Sequence, residues 1–272
     1  MPLISVIMGV YNCKDKILLK QSVESIINQS FKDWEFIICN DGSTDNTLQY
    51  LYDIQKLDSR IKIITYEKNQ GLAHALNVCI NNAQGIYIAR QDDDDISYSN
   101  RFEEQINTFK KFPQYSLIGT NADVYDNEGI WGELKMEEYP SKNSFLWTNP
   151  FAHPTTMIKL SALKNVGGYR VSKETRRCED YDLFMRMYAN GTKGYNIQFK
   201  LYKYKVINNE KKYRPMKYRI DEAIVRFKGY KLLKLYPKAI FFIFKPIIIG
   251  LIPQKIFKKI RNTVYNGVKN NI

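Results

Sequence analysis

LISVIMGV, residues 3–10, is an eight-residue stretch with no charge and no apolar–polar alternation. A strand wetted on one face alternates with a period of two, whereas an unbroken apolar strand is buried on both faces. Working outward, the chain keeps a strand–helix rhythm. LLKQSVESIINQS (18–30) has helical apolar spacing, and WEFIICN (34–40) is a second strand. A helix is expected from Thr44 to about Leu57 with Asp45 in its first turn, then a strand IKIITYE (61–67) and a helix GLAHALNVCINNA (71–83). IYIARQ (86–91) is a fourth strand, SYSNRFEEQINTFKKF (97–112) a helix capped by Ser97 or Ser99, and SLIGTNADVY (116–125) a fifth strand. This predicts an α/β fold: a Rossmann-like, mostly parallel sheet with helices on both faces. Beyond Asp126 the rhythm changes, with a turn DNEG (126–129), a strand TTMIKL (155–160), a break at GGY (167–169) and a helix CEDYDLFMRMYANG (178–191).

The chain has 272 residues, enough for one large domain or two small ones. With 44% hydrophobic and 25% charged residues it is neither disordered nor a polytopic membrane protein. The net charge of +13 is unevenly placed: residues 200–272 hold 19 of the 41 basic residues and 3 of the 28 acidic ones. A slightly acidic body therefore carries a basic tail. Cys13, Cys39, Cys79 and Cys178 form no CxxC pair and read as reduced thiols, which with the lack of a secretory leader predicts a cytoplasmic protein. Only His74 and His153 are present, so an HExxH zinc site is excluded.

In an open parallel sheet, ligands bind beyond the carboxyl ends of the strands. The loops there read VYN (10–12), NDGSTD (40–45), KNQG (68–71) and DDDD (92–95). Asp41 ends an apolar strand, where its carboxylate can accept an N–H from a heterocycle or bind ribose; Gly42, Ser43 and Asp45 read equally as turn and cap. Four adjacent aspartates repel one another, and a hard cation relieves that repulsion. In an extended chain Asp92 and Asp94 share a face, with Asp93 and Asp95 pointing elsewhere. Two convergent carboxylates leave open positions on a metal for a diphosphate. Glu179 and Asp180 open a helix, either as acids favoured by its dipole or as a general base at a pocket mouth.

ISVIMGVYN (4–12), NDGSTD (40–45), NQGLAHALN (69–77), ARQDDDDIS (89–97) and CEDYDLFMR (178–186), in this order, resemble the family 2 glycosyltransferases. HPTTMIKLSALKNVGGYR (153–170) is similar to members that build bacterial capsule, O-antigen or exopolysaccharide. The resemblance implies the GT-A fold, with a glycosyltransferase domain over 1–210 divided into a nucleotide-sugar half (1–115) and an acceptor half (116–210). It implies an inverting, metal-dependent transfer from a nucleotide sugar, a UDP-sugar, to a lipid-linked oligosaccharide. By the same resemblance Asp92 and Asp94 bind Mn(II) or Mg(II), with Asp92 also at the ribose or diphosphate. Tyr11, Asp41, Asn69, Gly71 and Asn77 line the nucleotide side, and Asp180, favoured over Glu179, is the base. Asp93 in the middle of the DxD leaves the metal-binding pair ambiguous by one position. His153 is a packed loop histidine or a contact to diphosphate or acceptor, and Tyr169 beside Gly167–Gly168 is a core aromatic or an acceptor contact. Arg90 either pairs with the aspartates or touches the leaving phosphates.

Residues 211–272 are expected to form a basic amphipathic helical tail. AIFFIFKPIIIGLI (239–252) is too short to span a bilayer, which takes about 20 apolar residues. Ile256, Phe257, Ile260 and Val264 form an apolar stripe among Lys255, Lys258, Lys259 and Arg261. Residues 239–264 therefore read as an anchor on an anionic membrane surface, placing the protein peripherally on the inner face of the cell membrane. The alternatives are a tail packed on the domain or a partner interface. A non-catalytic nucleic-acid- or membrane-binding protein is the competing class, and no nucleic-acid module is present to favour it. A nucleotidyltransferase would need a Gly-rich phosphate loop, and GVYNCKDK (9–16) has only Gly9.

Overall fold

The computed structural model describes residues 1–207 and 214–252. Its first half is built from β1 (Ile4–Val10), α1 (Lys16–Ile27), β2 (Trp34–Asn40), α2 (Thr47–Gln55), β3 (Ile61–Thr65), α3 (Leu72–Asn82) and β4 (Tyr87–Arg90). The four strands lie in the order β3-β2-β1-β4, all parallel. The largely apolar character of β1 and β2 has the expected cause. Ile7, Ile37 and Cys39 face Ala75, Leu76 and Cys79 of α3. Val6, Met8, Phe36 and Ile38 face Leu19, Val23 and Ile26 of α1. Alternate residues of one strand thus enter two different cores, and each fully buried aliphatic side chain contributes roughly 1.5–3 kcal/mol.

The second half holds β5 (Ile96–Ser97), α4 (Arg101–Lys111), β6 (Leu117–Asp126), β7 (Gly129–Leu134), β8 (Met157–Lys159), α5 (Leu160–Asn165), α6 (Glu179–Ala189) and β9 (Gly194–Lys205). The sheet continues β4-β8-β6-β9-β5, with β7 beside β6. β8 is antiparallel to both β4 and β6, and β9 is parallel to β6. β1 to β4, β6 and β9 therefore share one direction, which β5, β7 and β8 oppose, so the sheet is mostly parallel. α2 and α4 start later than the sequence reading has them. α2 begins at Thr47, whose N–H donates to Asp45 Oδ1 at 2.9 Å, so residues 44–46 belong to the turn. α4 begins at Arg101 because Ile96–Ser97 pair with Lys203 and Tyr202 as β5.

After residue 214 come α7 (Met216–Leu233), α8 (Ile240–Ile243) and α9 (Lys245–Leu251). α7 buries Ala223, Val225, Gly229, Tyr230 and Leu233. It approaches α6 so closely that a Cβ on Gly229 would meet Met185 Sδ at 2.3 Å. This part of the basic segment is thus a helix packed on the body. The stripe expected over Ile256, Phe257, Ile260 and Val264 lies outside the described residues.

Gly42, which opens the loop directly after Asp41, has φ +64, and a Cβ there would lie 2.5 Å from Asn69 N and Lys68 C. Because both obstacles are backbone, Gly42→Ala should cost about 1–3 kcal/mol, read as a lower urea midpoint at constant slope. An unchanged midpoint would refute this packing of the two loops.

Candidate active site

The strand order reverses at β1, so the crevice for a ligand lies between the loops after β1 and β4. Tyr11 is 47% exposed at the end of β1. The next residue, Asn12, has φ 45 and ties its loop to the one after β2. Its N–H donates to Ser43 Oγ at 3.0 Å, its Nδ2 donates to Thr44 Oγ1, and its Oδ1 accepts from Thr44 N at 2.9 Å.

Asp41 is 3% exposed, and its carboxylate accepts four hydrogen bonds. Oδ1 accepts from Tyr66 Oη (2.6 Å) and Gln70 N (2.8 Å). Oδ2 accepts from Asn69 Nδ2 (2.8 Å) and Gly71 N (2.9 Å). About four lone-pair sites are available on a carboxylate, so Asp41 is committed to shaping the 66–71 wall. A nucleotide base would compete with these donors for that carboxylate. Asn77 is committed as well: Nδ2 donates to Tyr169 O at 2.7 Å and Oδ1 accepts from Tyr169 N at 2.8 Å.

The acidic run departs from the alternation expected of an extended chain. Residues 92–95 form a turn, closed by Asp95 N donating to Asp92 O. The turn brings Asp92, Asp94 and Asp95 together, with one carboxylate oxygen of each within 4.8 Å of the others. Asp93 instead lines a cavity with Tyr11, Asn12 and Lys205. The expectation that Asp95 points away is thus corrected, since a turn brings residues i and i+3 together where an extended chain separates them. Asp95 is 1% exposed. Its Oδ1 accepts from Lys205 N at 2.7 Å, while Oδ2 has no hydrogen-bond partner among the described residues. Burial, Asp92 and Asp94 push its carboxyl well above the ordinary range. Burial, Asp94 and Asp92 likewise push Asp93 up to about 7. Three converging carboxylates with one orphaned buried oxygen fit a hard divalent cation.

Arg90 lies beneath this run, 3% exposed and ion-paired through Nη2 to Asp92 Oδ1. Its Nη1 donates to Ile7 O and Gln91 O. The guanidinium also reaches the far side of the site. Burial and then Arg90 hold His153 well below its usual range, so its ring is neutral. His153 Nε2 lies 2.7 Å from Tyr169 Oη. Burial raises the Tyr169 phenol, Arg90 opposes the rise, and Asp180, Glu179 and Asp92 add to it. Tyr169 is therefore the buried ring that feels both the acidic turn and the α6 carboxylates.

At the start of α6, Asp180 Oδ2 accepts from Asn149 Nδ2 and Oδ1 from Tyr181 N, both at 2.8 Å. Burial raises the Asp180 carboxyl. Burial and the charge of Asp180 push Glu179 up to about 7. Glu179 lines a cavity of about 680 Å³ with Asn69, Gly71 and Tyr218. Tyr11, Asp93 and Asp94 line the neighbouring cavity of about 400 Å³. The expected nucleotide-side residues are thus divided between two cavities. Sequence reasoning missed Asp95, whose signal was its place at the end of a four-residue acidic turn, and Asn149, which carried no local signal.

The chain belongs to glycosyl transferase family 2, which matches residues 5–167. A Bacillus subtilis protein bearing the glycosyltransferase name EpsE is 39% identical over 259 residues, covering 95% of this chain and 92% of its own. The UDP-Gal:alpha-D-GlcNAc-diphosphoundecaprenol beta-1,3-galactosyltransferase of Escherichia coli is 31% identical over 272 residues, covering 98% and 94%. Staphylococcus aureus TarS 1–349 in complex with UDP-GlcNAc superposes with a TM-score of 0.68 at 17% identity, over 88% of this chain and 72% of that one. The mannosyltransferase PcManGT of Pyrobaculum calidifontis, in complex with GDP-Man and Mn2+, gives 0.61 at 15% identity over 98% and 82%. Against a longer TarS chain the match spans 39% of that chain's length. These likenesses establish the GT-A fold that the sequence predicts.

A raised carboxyl pKa means that the folded state holds the proton more tightly than the unfolded one. The stability Glu179 contributes is therefore fully present below its ordinary 4.5 and lost as pH rises through about 7. Glu179→Gln should match the native Tm at pH 4.5 and exceed it increasingly up to pH 8. Parallel Tm curves for the two proteins would show that Glu179 is not buried beside a second carboxylate.

Proposed function

We propose that this protein is an inverting, metal-dependent glycosyltransferase. It moves a sugar from a UDP-sugar to a hydroxyl of a lipid-linked precursor of a surface polysaccharide such as capsule, O-antigen or exopolysaccharide. One observation carries the reading: the carboxylates of Asp92, Asp94 and Asp95 converge beyond the end of β4, and one buried Asp95 oxygen has no hydrogen-bond partner among the described residues. The UDP-GlcNAc bound to TarS supports the donor class, and the diphosphoundecaprenol substrate of the E. coli relative supports the acceptor class. The Mn2+ in PcManGT supports the metal.

Asp92, Asp94 and Asp95 would hold Mn(II) or Mg(II), and when bound the ion supplies positive charge against the departing nucleoside diphosphate. Arg90 fixes Asp92 from below. Tyr11 packs against the base, while Asn69 and Gly71, locked by Asp41, wall the site. Asp180 removes the acceptor proton, oriented by Asn149 and made more basic by burial. One base and no carboxylate nucleophile gives a single displacement with inversion. His153 and Tyr169, hydrogen-bonded to each other, stay neutral and set the shape of the floor between the two halves.

Among the described residues no helix is long and apolar enough to cross a membrane. α8 and α9 expose Phe241, Phe244, Ile248 and Leu251 around Lys245, which suits peripheral attachment at the cytoplasmic leaflet near a lipid-linked acceptor. The domain division at about residue 210 belongs to the same proposal.

UDP should raise the Tm only when Mn2+ is present, and Asp94→Ala should abolish that rise. Asp180→Asn should lower turnover by about 10²–10⁴ while UDP binding persists. Near-normal turnover in Asp180→Asn would eliminate the base assignment.

A further inference from the structure

The loop between Tyr169 and α6 carries Lys173, Arg176 and Arg177 into the 680 Å³ cavity, beside Glu179 and Tyr218. All three cations are exposed, and none pairs with a carboxylate among the described residues. Their neighbours are paired: Arg170 and Arg186 with Asp182, Arg214 and Arg226 with Glu222, and Lys228 with Glu174. The loop is also held in place. Lys228 of α7 bonds Glu174 at 2.6 Å, Arg214 Nη2 donates to Arg177 O at 3.2 Å, and the buried Thr175 Oγ1 donates to Arg170 O at 2.8 Å. Arg177 sits at φ 66, a left-handed backbone that a non-glycine residue adopts only when its surroundings impose it.

We propose that Lys173, Arg176 and Arg177 bind the diphosphate that joins the acceptor saccharide to its lipid. This rests on the glycosyltransferase reading given above. An in-line displacement puts the departing nucleoside diphosphate and the incoming hydroxyl on opposite sides of the anomeric carbon. The donor's diphosphate belongs with the acidic turn, in the cavity of Tyr11, Asp93 and Asp94. The cations lie in the other cavity, which the Asn69–Gly71 wall also borders, with Glu179 next to the proposed base Asp180, the side from which the acceptor hydroxyl must arrive. Two guanidinium groups and an ammonium match a diphosphate in charge, and arginine forks match phosphate oxygens in shape. The lipid end has an apolar surface nearby. α7, which sends Tyr218 into the cavity, exposes Ile220, Ile224 and Phe227 at i, i+4 and i+7 on its outer face.

The test is calorimetric titration of the full chain with farnesyl diphosphate in the absence of divalent ion. Farnesol and inorganic pyrophosphate serve as comparison ligands, and UDP with Mn2+ is titrated separately. The native protein should bind farnesyl diphosphate more tightly than either comparison ligand. The double variant Arg176→Gln/Arg177→Gln should bind it about tenfold more weakly or worse, with Arg176→Lys/Arg177→Lys retaining most of the affinity. UDP affinity with Mn2+ should not move in either variant. Unchanged farnesyl diphosphate binding in the glutamine variant overturns the proposal. A parallel loss of UDP affinity also overturns it, by giving the cations to the donor. Pyrophosphate binding as tightly as farnesyl diphosphate would leave only a general anion site. If the native protein fails to bind UDP with Mn2+, the glycosyltransferase reading fails instead, and the farnesyl diphosphate titration is unaffected.

Discussion

A buried guanidinium under an acidic turn is the constraint on which the rest of the site depends. Arg90 ends β4, where burial alone would lower its pKa, yet the charges of Asp92 and Asp93 hold it protonated. Its Nη1 bonds to Ile7 O, which fixes the acidic turn to the central strand β1. The same charge eases the burial of Asp93 and Glu179 and keeps His153 neutral. Without it, the four aspartates at the end of a buried strand would repel one another with only the buried Arg101 left beneath them to compensate.

The loops around Arg90 are held by polar clamps of a common kind. Asp41 gathers the 66–71 loop with four donors, Asn12 joins the first two loops, and Asn77 grips the backbone of Tyr169. Arg186 extends this to α6: it bonds Asp182 on its own helix and donates to Val166 O and Gly168 O, fixing the Gly-Gly turn before Tyr169. The Asp41 and Asn12 clamps lie at the carboxyl ends of β1 and β2, so a rigid parallel core is converted into a rigid rim. Rigidity there favours catalysis, because groups already aimed at developing charge need no reorganisation when the reaction occurs.

The parallel half was legible because burial on both faces leaves a plain mark, the largely apolar strands of β1 and β2. β7 and β9 were not. GYNIQFKLYKYK interleaves lysines with aromatics, so the half-exposed β9 gives no strand signal of its own, and only its pairing with β6 reveals it. Asp92 and Asp94 could be read from local pattern, but Asp95 joins them through a turn that alternation does not foresee. Asp41 was legible as a loop carboxylate. Its four donors were not, because they lie 25 to 30 residues downstream. Asn149, 31 residues from Asp180, had the same obscurity.

The site turns on a cation held by the acidic turn, and the most direct measurement locates that ion. A crystal of the protein grown with Mn2+ and UDP, examined by anomalous scattering, should place a manganese peak among Asp92, Asp94 and Asp95 with the diphosphate against it. A map with UDP bound and no manganese at those three carboxylates would contradict the account.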